Sequence, residues 1–353
     1  MLKLFKPRAK SILGIDISST SVKILEISSS GDQRTVEGYG TIKLPENAME
    51  GVTIKDVDMV ASRIRRVFSS QRFTSRQAAL AVPDSSTISK IIQINEGLSE
   101  EEIEELVIME ADKYIPYPID EINIDFNVLG PSAKSAAMLD VLVVASRAEN
   151  VSSRVEAVTR AGLEAKVVDV ESYAVERAVQ LIAPQLPGGG ANSIVAIIDF
   201  GYAYTIFYVM HGMKIIFSRE EEFGGKQLID TIVQAYGLKQ EEAVAAIEEG
   251  NLPENYITEV LQPFQELVIL QVKRGLQFFF SGSQYTHVDH ILLAGGVAKQ
   301  TGLAELLNEH INIPTEVVNP FTGMEMGKQV NRESITKDAP SLLVACGLAL
   351  RAS

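Results

Sequence analysis

The sequence predicts an α/β protein built from two related lobes, with a smaller α+β subdomain inserted into the first lobe. Three observations support this prediction. Strand-like and helix-like patterns alternate along the chain, one hairpin pattern occurs twice, and a linker rich in Gly and Pro at residues 184–193 separates the two occurrences. A chain of 353 residues has room for about two domains.

Composition limits the class of function. The chain has 32 basic and 46 acidic residues, which is a net charge of −14. This excess argues against a general nucleic-acid surface, which needs clustered Lys and Arg facing the phosphates. The apolar runs are far shorter than the ~20 residues of a membrane span, and Cys346 has no partner for an internal disulfide. We therefore expect a cytoplasmic protein.

The first ten residues carry four positive charges and no acid: Lys3, Lys6, Arg8 and Lys10. Two interpretations of this segment remain open. It is a solvated tail before the first strand, or it contacts an anionic membrane surface.

The first lobe begins with two apolar runs, residues 11–17 and 22–28, which predict a β-hairpin with a short polar turn. Residues 57–68 have apolar positions at helical spacing, and residues 77–83 read as a further strand.

Residues 84–150 predict the inserted α+β subdomain. Ser99 begins a helix as its N-cap, and Glu102 completes a capping box. Strand patterns follow at residues 122–129 and 139–145. The exposed face of this helix is strongly acidic, and two interpretations of that face remain open: a solvated surface or a charged docking surface.

After the insert, residues 150–161 predict a helix, and residues 165–179 predict a strand leading into a helix. We place the main boundary at the Gly- and Pro-rich linker. The predicted first lobe therefore comprises residues 1–83, 151–183 and 339–353, and the predicted second lobe comprises residues 184–338.

The duplicated hairpin is the main indication of function. Aligning Asp16 with Asp199 also matches Ser18 with Gly201 and Ile24 with Phe207. Each copy is an apolar strand that ends in an Asp, then a short turn, then a second apolar strand. Two copies so far apart predict a duplicated domain with a cleft between the lobes.

These hairpins suit a triphosphate. Small turn residues let backbone N–H groups approach phosphate oxygens. The first turn adds hydroxyl donors at Ser18, Ser19, Thr20 and Ser21, and Lys23 adds a positive charge. Asp16 and Asp199 would face each other across the cleft, where hydrated Mg²⁺ needs one or two carboxylates.

A third motif lies at residues 291–307, where an apolar strand runs into Gly295 and Gly296 before a helix. Glycines at such a turn permit close approach of a ligand to the backbone.

The order of these motifs resembles that of the actin/DnaK/sugar-kinase ATPase superfamily. Its two phosphate hairpins correspond to residues 12–27 and 195–212, and its adenosine motif corresponds to residues 291–307. Its two connecting helices correspond to residues 167–179 and 339–351. The resemblance implies an actin-like ATPase fold, with two duplicated RNase H-like lobes around a nucleotide cleft. The insert resembles the extra subdomain of the FtsA branch.

A closer resemblance, over residues 13–351, is to the PilM family of type IV pilus assembly. It is carried by segments such as LGIDISSTSVKILEIS, LSEEEIEELVIMEADKYIPYP, VVDVESYAVERA and LLVACGLALR. The resemblance implies a cytoplasmic, ATP-binding scaffold peripheral at the inner membrane that functions in pilus biogenesis and twitching motility. The implied partner is the cytoplasmic N-terminal segment of PilN, with links to the pilus assembly and retraction motors, and a homo-oligomer is an open alternative.

The resemblance also implies roles for individual residues. Asp16 and Asp199 would hold Mg²⁺ through water. Phosphates would contact Ser19, Thr20, Ser21 and Lys23 from one side, with Gly201 and Thr205 opposite. The ribose end would lie near Gly224, Gly225 and Lys226. The adenine would pack against Lys273, Arg274 and Gln277, and Gly295 and Gly296 would flank the nucleoside.

Three departures from the family pattern predict a narrow phosphate pocket and at most slow hydrolysis: Ser18 replaces a usual Gly, and Tyr202 and Tyr204 replace small residues. Glu171 is the candidate catalytic base, with an exposed acid at a helix N-terminus as the alternative.

Two other functions are weighed against the pilus scaffold. An FtsA-like division filament protein usually carries a C-terminal amphipathic helix, whereas this sequence ends directly after the second connecting helix, which disfavours that alternative. A small-molecule kinase would need a positioned base that the sequence does not indicate.

Overall fold

The structure is a computed structural model that describes residues 11–133 and 135–352. The basic segment at residues 1–10, with its proposed membrane contact, lies outside the described residues. No helix in the described part of the chain is both long and apolar enough to cross a membrane.

The first lobe begins with a meander of three strands, followed by a short hairpin, a helix and a strand. These elements are β1 (Ser11–Ile17), β2 (Ser21–Ser30), β3 (Gln33–Lys43), β4 (Met49–Glu50), β5 (Thr53–Ile54), α1 (Val57–Ser70) and β6 (Gln77–Val82). Asp56 caps α1 by accepting a hydrogen bond from the backbone N–H of Met59. Val60, Ile64 and Val67 are buried along one face of α1, which confirms the predicted helix.

The insert consists of β7 (Thr87–Asn95), α2 (Glu100–Ala111), β8 (Ile122–Ser132) and β9 (Ser135–Arg147). The strands form an antiparallel sheet in the order β7-β9-β8. The predicted capping box of Ser99 and Glu102 is present at the start of α2. One face of the sheet packs on α2 through Ile92, Val107 and Val143.

The chain then returns to the first lobe through α3 (Ala148–Arg160), β10 (Glu164–Val170) and α4 (Glu171–Ile182). The strand continues to Val170, so the first connecting helix begins later than the predicted residue 167. β10 pairs with β6 in parallel, and this pairing holds residues 167–170 extended.

The second lobe repeats the layout of the first. Its elements are β11 (Ile194–Phe200), β12 (Thr205–His211), β13 (Lys214–Glu221), α5 (Gly225–Tyr236), α6 (Gln240–Glu249), α7 (Gln262–Gly282), β14 (His290–Gly295), α8 (Leu303–Ile311) and β15 (Thr315–Val317).

The last elements are β16 (Glu325–Met326), α9 (Arg332–Asp338) and α10 (Leu343–Ala349). β16 pairs in parallel with β3, with Glu325 opposite Thr35. The chain has therefore rejoined the first sheet by Glu325, before Asp338, where the sequence predicts the end of the second lobe. Backbone pairing with β3 causes this early return, and a two-residue strand has no recognisable sequence pattern.

The two sheets share one topology. The first has the order β10-β6-β1-β2-β3-β16 and the second has the order β13-β12-β11-β14-β15. Each contains an antiparallel meander, and the first strand of that meander also pairs in parallel with a later strand. This repeated arrangement confirms the predicted duplication of RNase H-like lobes.

A shared core joins the lobes. It contains Leu25 from the first sheet, Ile197 from the second, and Val179 and Leu348 from α4 and α10. The approach of α10 to its neighbours is close, because a Cβ atom at Gly347 would lie 1.8 Å from the carbonyl oxygen of Ala174. The two connecting helices therefore fill the space between the sheets.

Candidate functional site

The two hairpins have the same turn geometry. The backbone N–H of Ser18 donates to the carbonyl of Ser21 at 2.9 Å, and that of Gly201 donates to the carbonyl of Tyr204 at 3.0 Å. The strand register is also the same, so β1 and β11 each present an Asp at an equivalent position beside the turn.

Asp16 and Lys23 are opposite each other in the first hairpin and form an ion pair. The Lys23 Nζ atom lies 2.7 Å from Asp16 Oδ2, and Asp16 is buried. Burial by itself would lower the pKa of Lys23, but Asp16, together with Asp199 and Glu171, raises it above its ordinary value. Lys23 is thus held charged beside the carboxylates.

Acidic groups from distant segments meet behind this pair. Burial, with a contribution from Asp16, raises the pKa of Asp199 from 3.8 to about 6, although Lys23 opposes the shift. Burial raises the pKa of Glu171 from 4.5 to about 8, and Asp16 and Asp84 add to the increase. Neighbouring carboxylates disfavour each other's ionisation, so a cation bound between them stabilises their ionised forms.

Arg154 lies beneath these acids, and the sequence interpretation missed it. Its side chain is 1% exposed, and it donates to the carbonyls of Val52 at 2.7 Å and Asn150 at 3.1 Å. Its buried Nε atom has no hydrogen-bond partner among the described residues. Burial lowers the pKa of Arg154, while the charges of Glu171 and Asp16 oppose that shift.

A sequence signal for Arg154 does exist. It falls on the same face of α3 as the buried Ala157 and Val158, three and four residues further on. A charged residue on the apolar face of a helix indicates a paired or functional group.

The first turn presents free donors. The backbone N–H and hydroxyl groups of Ser19 and Thr20 make no hydrogen bond within the described residues, and both residues are partly exposed. The Ser21 hydroxyl instead lies 3.0 Å from that of Ser18. Ser19 and Thr20 are therefore available to an anion, whereas Ser21 supports the turn.

The second turn packs against the loop before α5. The backbone N–H groups of Gly225 and Lys226 donate to the carbonyls of Gly201 at 3.0 Å and Tyr202 at 2.8 Å. A Cβ atom at Gly224 would lie 2.4 Å from the Tyr202 carbonyl oxygen, so no larger residue fits there. The structure thus brings these predicted glycines together.

Two predicted ligand groups in this region already have partners. The buried Thr205 hydroxyl donates to the carbonyl of Phe223 at 2.7 Å. Lys226 is exposed, and its ammonium group pairs with Asp230 at 2.6 Å. Their direct contact with phosphate stays a prediction.

Gly295 lies against the second carboxylate. Its φ angle is +85°, and a Cβ atom there would lie 2.5 Å from Asp199 Oδ1 and 2.2 Å from the Phe200 carbonyl oxygen. Gly296, by contrast, has ordinary helical angles and open space around it. The glycine pair therefore combines one packed position with one open position.

The predicted adenine-binding residues divide between two faces of α7. Lys273 and Gln277 line a shallow depression of about 430 Å³ with Leu276, whereas Arg274 lies over the ring of Phe278 at 5.4 Å. Their role in binding adenine stays a prediction.

A different cavity, of about 380 Å³, follows Gly296 along the chain. Its lining comes from the loop into α8, from β15, and from α9 and the turn after it: Ala298, Lys299, Gln300, Thr301, Gly302, Ala304, Glu305, Val317, Thr336, Lys337 and Pro340. Sequence interpretation did not indicate it, because its walls come from segments of both lobes.

The two unusual tyrosines point in different directions. The Tyr202 hydroxyl accepts a hydrogen bond from Gln240 within the second lobe. The Tyr204 hydroxyl crosses to the first lobe, where it lies 3.2 Å from the position of a Cβ atom at Gly51. Tyr204, rather than Tyr202, therefore reaches across to the first lobe, and its narrowing of the phosphate pocket stays a prediction.

The carboxylates of the site suit a hydrated magnesium ion rather than a directly coordinated one. No group of three His, Cys, Asp or Glu residues within the described part of the chain is arranged to hold a metal directly. Asp16 and Asp199 nevertheless supply two carboxylates whose mutual field favours a cation. This arrangement suits Mg²⁺ that keeps most of its water ligands.

Two RNase H-like lobes with equivalent carboxylate hairpins, joined by two central helices, define an actin-like ATPase fold. Within that class, the profile described as "Type IV pilus assembly protein PilM" matches residues 14–353, and the chain belongs to this family.

Two solved structures illustrate the similarity. A structure described as "PilM-PilN type IV pilus biogenesis complex" is 26% identical with a TM-score of 0.80, and the match covers 98% of this chain and 99% of that one. The ethanolamine utilization protein EutJ from Carboxydothermus hydrogenoformans is 17% identical with a TM-score of 0.60, over 98% of this chain and 90% of EutJ. The EutJ match supports the fold alone.

Proposed function

We propose that the chain is an ATP-binding scaffold of type IV pilus assembly that binds the cytoplasmic N-terminal segment of PilN and so lies at the inner membrane from the cytoplasmic side. It links that partner to the pilus motors that support twitching motility. The proposal that the chain binds a nucleotide rests on one observation. Asp16 and Asp199 lie at equivalent positions of the two hairpins and interact electrostatically in one cluster.

In this proposal, the phosphates bind the free N–H and hydroxyl groups of Ser19 and Thr20, with Lys23 supplying positive charge. Asp16 and Asp199 hold Mg²⁺ through its water ligands, and the ion supplies charge neutralisation at the phosphates. The nucleoside extends past Gly296 towards the cavity beyond it.

Slow turnover is part of the same proposal. Glu171 is the candidate base, but its pKa of about 8 leaves it largely protonated at neutral pH before a cation binds. A protonated carboxyl group cannot accept a proton from water. The protein would therefore keep its bound ATP long enough for the ATP-bound state to serve as a signal.

The partner groove is proposed to lie on the face of the insert sheet that turns away from α2. There Ile91 is opposite Leu142 in the strand register, and Val144 lies on the same face as Leu142. Ile91 is 55% exposed, and Leu142 and Val144 are partly exposed. Tyr173 of α4 reaches this face next to Ser89, so a peptide here would contact both the insert and the first lobe.

The nucleotide proposal is tested by calorimetric titration of Mg·ATP. Asp16→Ala and Asp199→Ala should each weaken binding at least ~10-fold, because each removes one of the two cation-orienting carboxylates. Asp32→Ala, in the exposed turn between β2 and β3, is the matched control. Unchanged affinity in both cleft variants would contradict the proposal.

The partner proposal is tested with a fluorescent peptide of the PilN N-terminal segment. Leu142→Asp should abolish its anisotropy change, whereas Ile216→Asp, at an exposed position on β13, should leave binding intact. Equal binding by both variants would exclude this face. Pilus assembly in cells that carry Leu142→Asp would then report whether the contact is needed.

A further inference from the structure

The outer side of the first lobe carries positive charge in a chain that is acidic as a whole. Residues 59–83 contain five arginines and neither an acid nor a lysine, although the chain has a net charge of −14. Arg65 and Arg66 on α1 are exposed, and so are Arg72 and Arg76 in the loop that follows it. We call these four side chains the arginine face. A run of like charge on a folded surface is typical of a site for an anionic partner.

α1 turns its two arginines outward because its apolar residues are buried in the core of the first lobe. Ser62 and Ser69 are exposed on the opposite side of the helix, and Arg65 and Arg66 flank them at helical spacing. The positions between the cations therefore hold small neutral side chains. A broad anionic surface can approach both guanidinium groups at once.

Two of the arginines are oriented by backbone carbonyls rather than by acids. Arg65 donates to the carbonyl of Arg160, and Arg76 donates to the carbonyl of Gly162 at 3.1 Å. Both carbonyls lie at the C-terminal end of α3. The Arg76 guanidinium also lies 5.4 Å above the ring of Phe68. These contacts fix the two side chains and leave their charges without a counter-charge.

The acids around the arginine face neutralise little of its charge. The exposed acids at its border are Asp58, Glu156 and Glu164. Asp58 and Glu156 both pair with Arg160, which is not one of the four. Arg66 and Arg72 form no ion pair or hydrogen bond with any side chain in the described part of the chain. Their charges remain available to a ligand.

The basic N-terminal segment joins the first lobe beside the arginine face. The buried carboxylate of Glu26 accepts hydrogen bonds from the Ser11 hydroxyl at 2.7 Å and from the backbone N–H groups of Thr74 at 2.7 Å and Ser75 at 3.0 Å. Ser11 is therefore next to the loop that carries half of the arginine face. Residues 1–10, with their four positive charges, connect to the chain at this point.

We propose that the arginine face binds the anionic phospholipid surface of the membrane directly. The proposed function reaches the inner membrane only through PilN, whereas this contact is made with lipid and needs no protein partner. Guanidinium groups bind phosphate oxygens in bidentate geometry, and the outer side of a helix with its adjoining loop suits a flat array of phosphate headgroups.

The net charge of −14 does not prevent this contact. Charges act through about 10 Å of solution at 0.1 M salt, so acids elsewhere on the molecule contribute little at the membrane surface. Each arginine near an anionic surface should raise the affinity about fivefold. The choice of membrane rather than another anion rests on the proposed position of the chain at the inner membrane.

Co-sedimentation of the full chain with lipid vesicles, without PilN or nucleotide, tests the proposal. Vesicles of an equal mixture of phosphatidylglycerol and phosphatidylcholine should bind the protein at about 0.1 M salt and release it at about 1 M salt. Vesicles of phosphatidylcholine alone should not bind it.

Charge reversal tests whether the arginine face makes the contact. Arg66→Glu/Arg72→Glu should weaken binding at least ~30-fold, because two contributions of about fivefold are lost. These two arginines are chosen because Arg65 and Arg76 support the fold through their carbonyl contacts. Lys239→Glu/Arg332→Glu, at exposed positions at the starts of α6 and α9, changes the net charge equally and should bind like wild type.

A fluorophore locates the contact on the molecule. The native Cys346 is buried, so the label reacts with an engineered thiol. Spin-labelled lipid should quench a fluorophore at Ser69→Cys, on the outward side of α1, and should not quench one at Ser218→Cys, at an exposed position on β13. Equal quenching at the two positions would contradict the proposed orientation.

Three further results would overturn the proposal. The first is wild-type protein that does not bind the anionic vesicles. The second is binding that survives Arg66→Glu/Arg72→Glu and is lost on removal of residues 1–10, which would assign the contact to the N-terminal segment alone. The third is tighter binding to double-stranded RNA than to the vesicles, lost in the same double variant. Each would leave the nucleotide and PilN proposals untouched, because neither uses the arginine face.

Discussion

The Tyr208 hydroxyl donates a 2.9 Å hydrogen bond to Oδ2 of Asp84, and this bond joins the second lobe to the base of the insert. Asp84 begins the turn between β6 and β7, and Ser172, next to Glu171, also donates to its carboxyl group. The Ser146 hydroxyl holds the end of the same turn at the Ser86 carbonyl, at 2.8 Å. The turn therefore connects the cleft to the insert.

Tyr208→Phe tests the strength of this junction. Burial raises the pKa of Asp84, and hydrogen bonds from Ser172 and Tyr208 oppose that rise. Loss of one donor to a largely buried acid should lower the free energy of unfolding by about 1–3 kcal/mol. Urea unfolding measures the change. Tyr236→Phe, which removes only a 3.3 Å exposed contact to Asn255, should change it by less than about 0.5 kcal/mol.

Glu171→Gln should change how stability depends on pH. Between pH 4.5 and about 8, folded Glu171 keeps a proton that the unfolded chain has released. The free energy of unfolding of the wild type should therefore fall as pH rises through this range. By the upper end of the range, the variant should have become more stable relative to wild type by on the order of a few kcal/mol.

Urea unfolding at several pH values, without divalent cations, measures this effect. Glu333→Gln, at an exposed acid in the first turn of α9, is the control and should run parallel to wild type. If Glu171→Gln also runs parallel, Glu171 is an ordinary solvated helix N-terminal acid.

Gly295→Ala should be severely destabilising. The residue has a φ of +85°, and a Cβ atom would meet both Asp199 Oδ1 and the Phe200 carbonyl. We expect a loss of at least about 2 kcal/mol in thermal or urea unfolding. Gly296→Ala has free space and ordinary angles, so its loss should stay below about 1 kcal/mol. Equal losses would show that the approach to Asp199 is not tight in solution.

Tyr204→Ala should open the proposed nucleotide entrance. It removes the side chain that reaches Gly51 across the cleft. If that contact contributes about 1.4 kcal/mol to closure, dissociation of a fluorescent ATP analogue should accelerate about tenfold in stopped-flow measurements. Tyr202→Phe alters only a bond within the second lobe and should leave the rate unchanged. Identical rates for wild type and Tyr204→Ala would remove Tyr204 from the entrance.

Sequence patterns predicted most of the fold because the relevant interactions are local. The capping box of α2 needs only Ser99 and Glu102, three residues apart. Several strands were not predicted, and two of them are long. β3 (Gln33–Lys43) and β13 (Lys214–Glu221) have few buried positions, so neither shows a hydrophobic pattern.

The site was predicted less completely. Asp16, Lys23 and Asp199 follow from the repeated hairpins, since register partners in a hairpin are neighbours. Asp84 and Arg154 could not be placed there, because they lie on separate segments that meet only in the folded chain.

The two hairpin turns follow from residue order, because short-range sterics and hydrogen bonding act between neighbours in the chain. The duplication and the family follow from residue order as well, because they are read from motifs along the chain. The protonation of Glu171, the approach of Tyr204 to Gly51 and the contact between Asp84 and Tyr208 depend on folding. They arise from burial and electrostatic fields, and these depend on distances between groups that the chain itself keeps far apart.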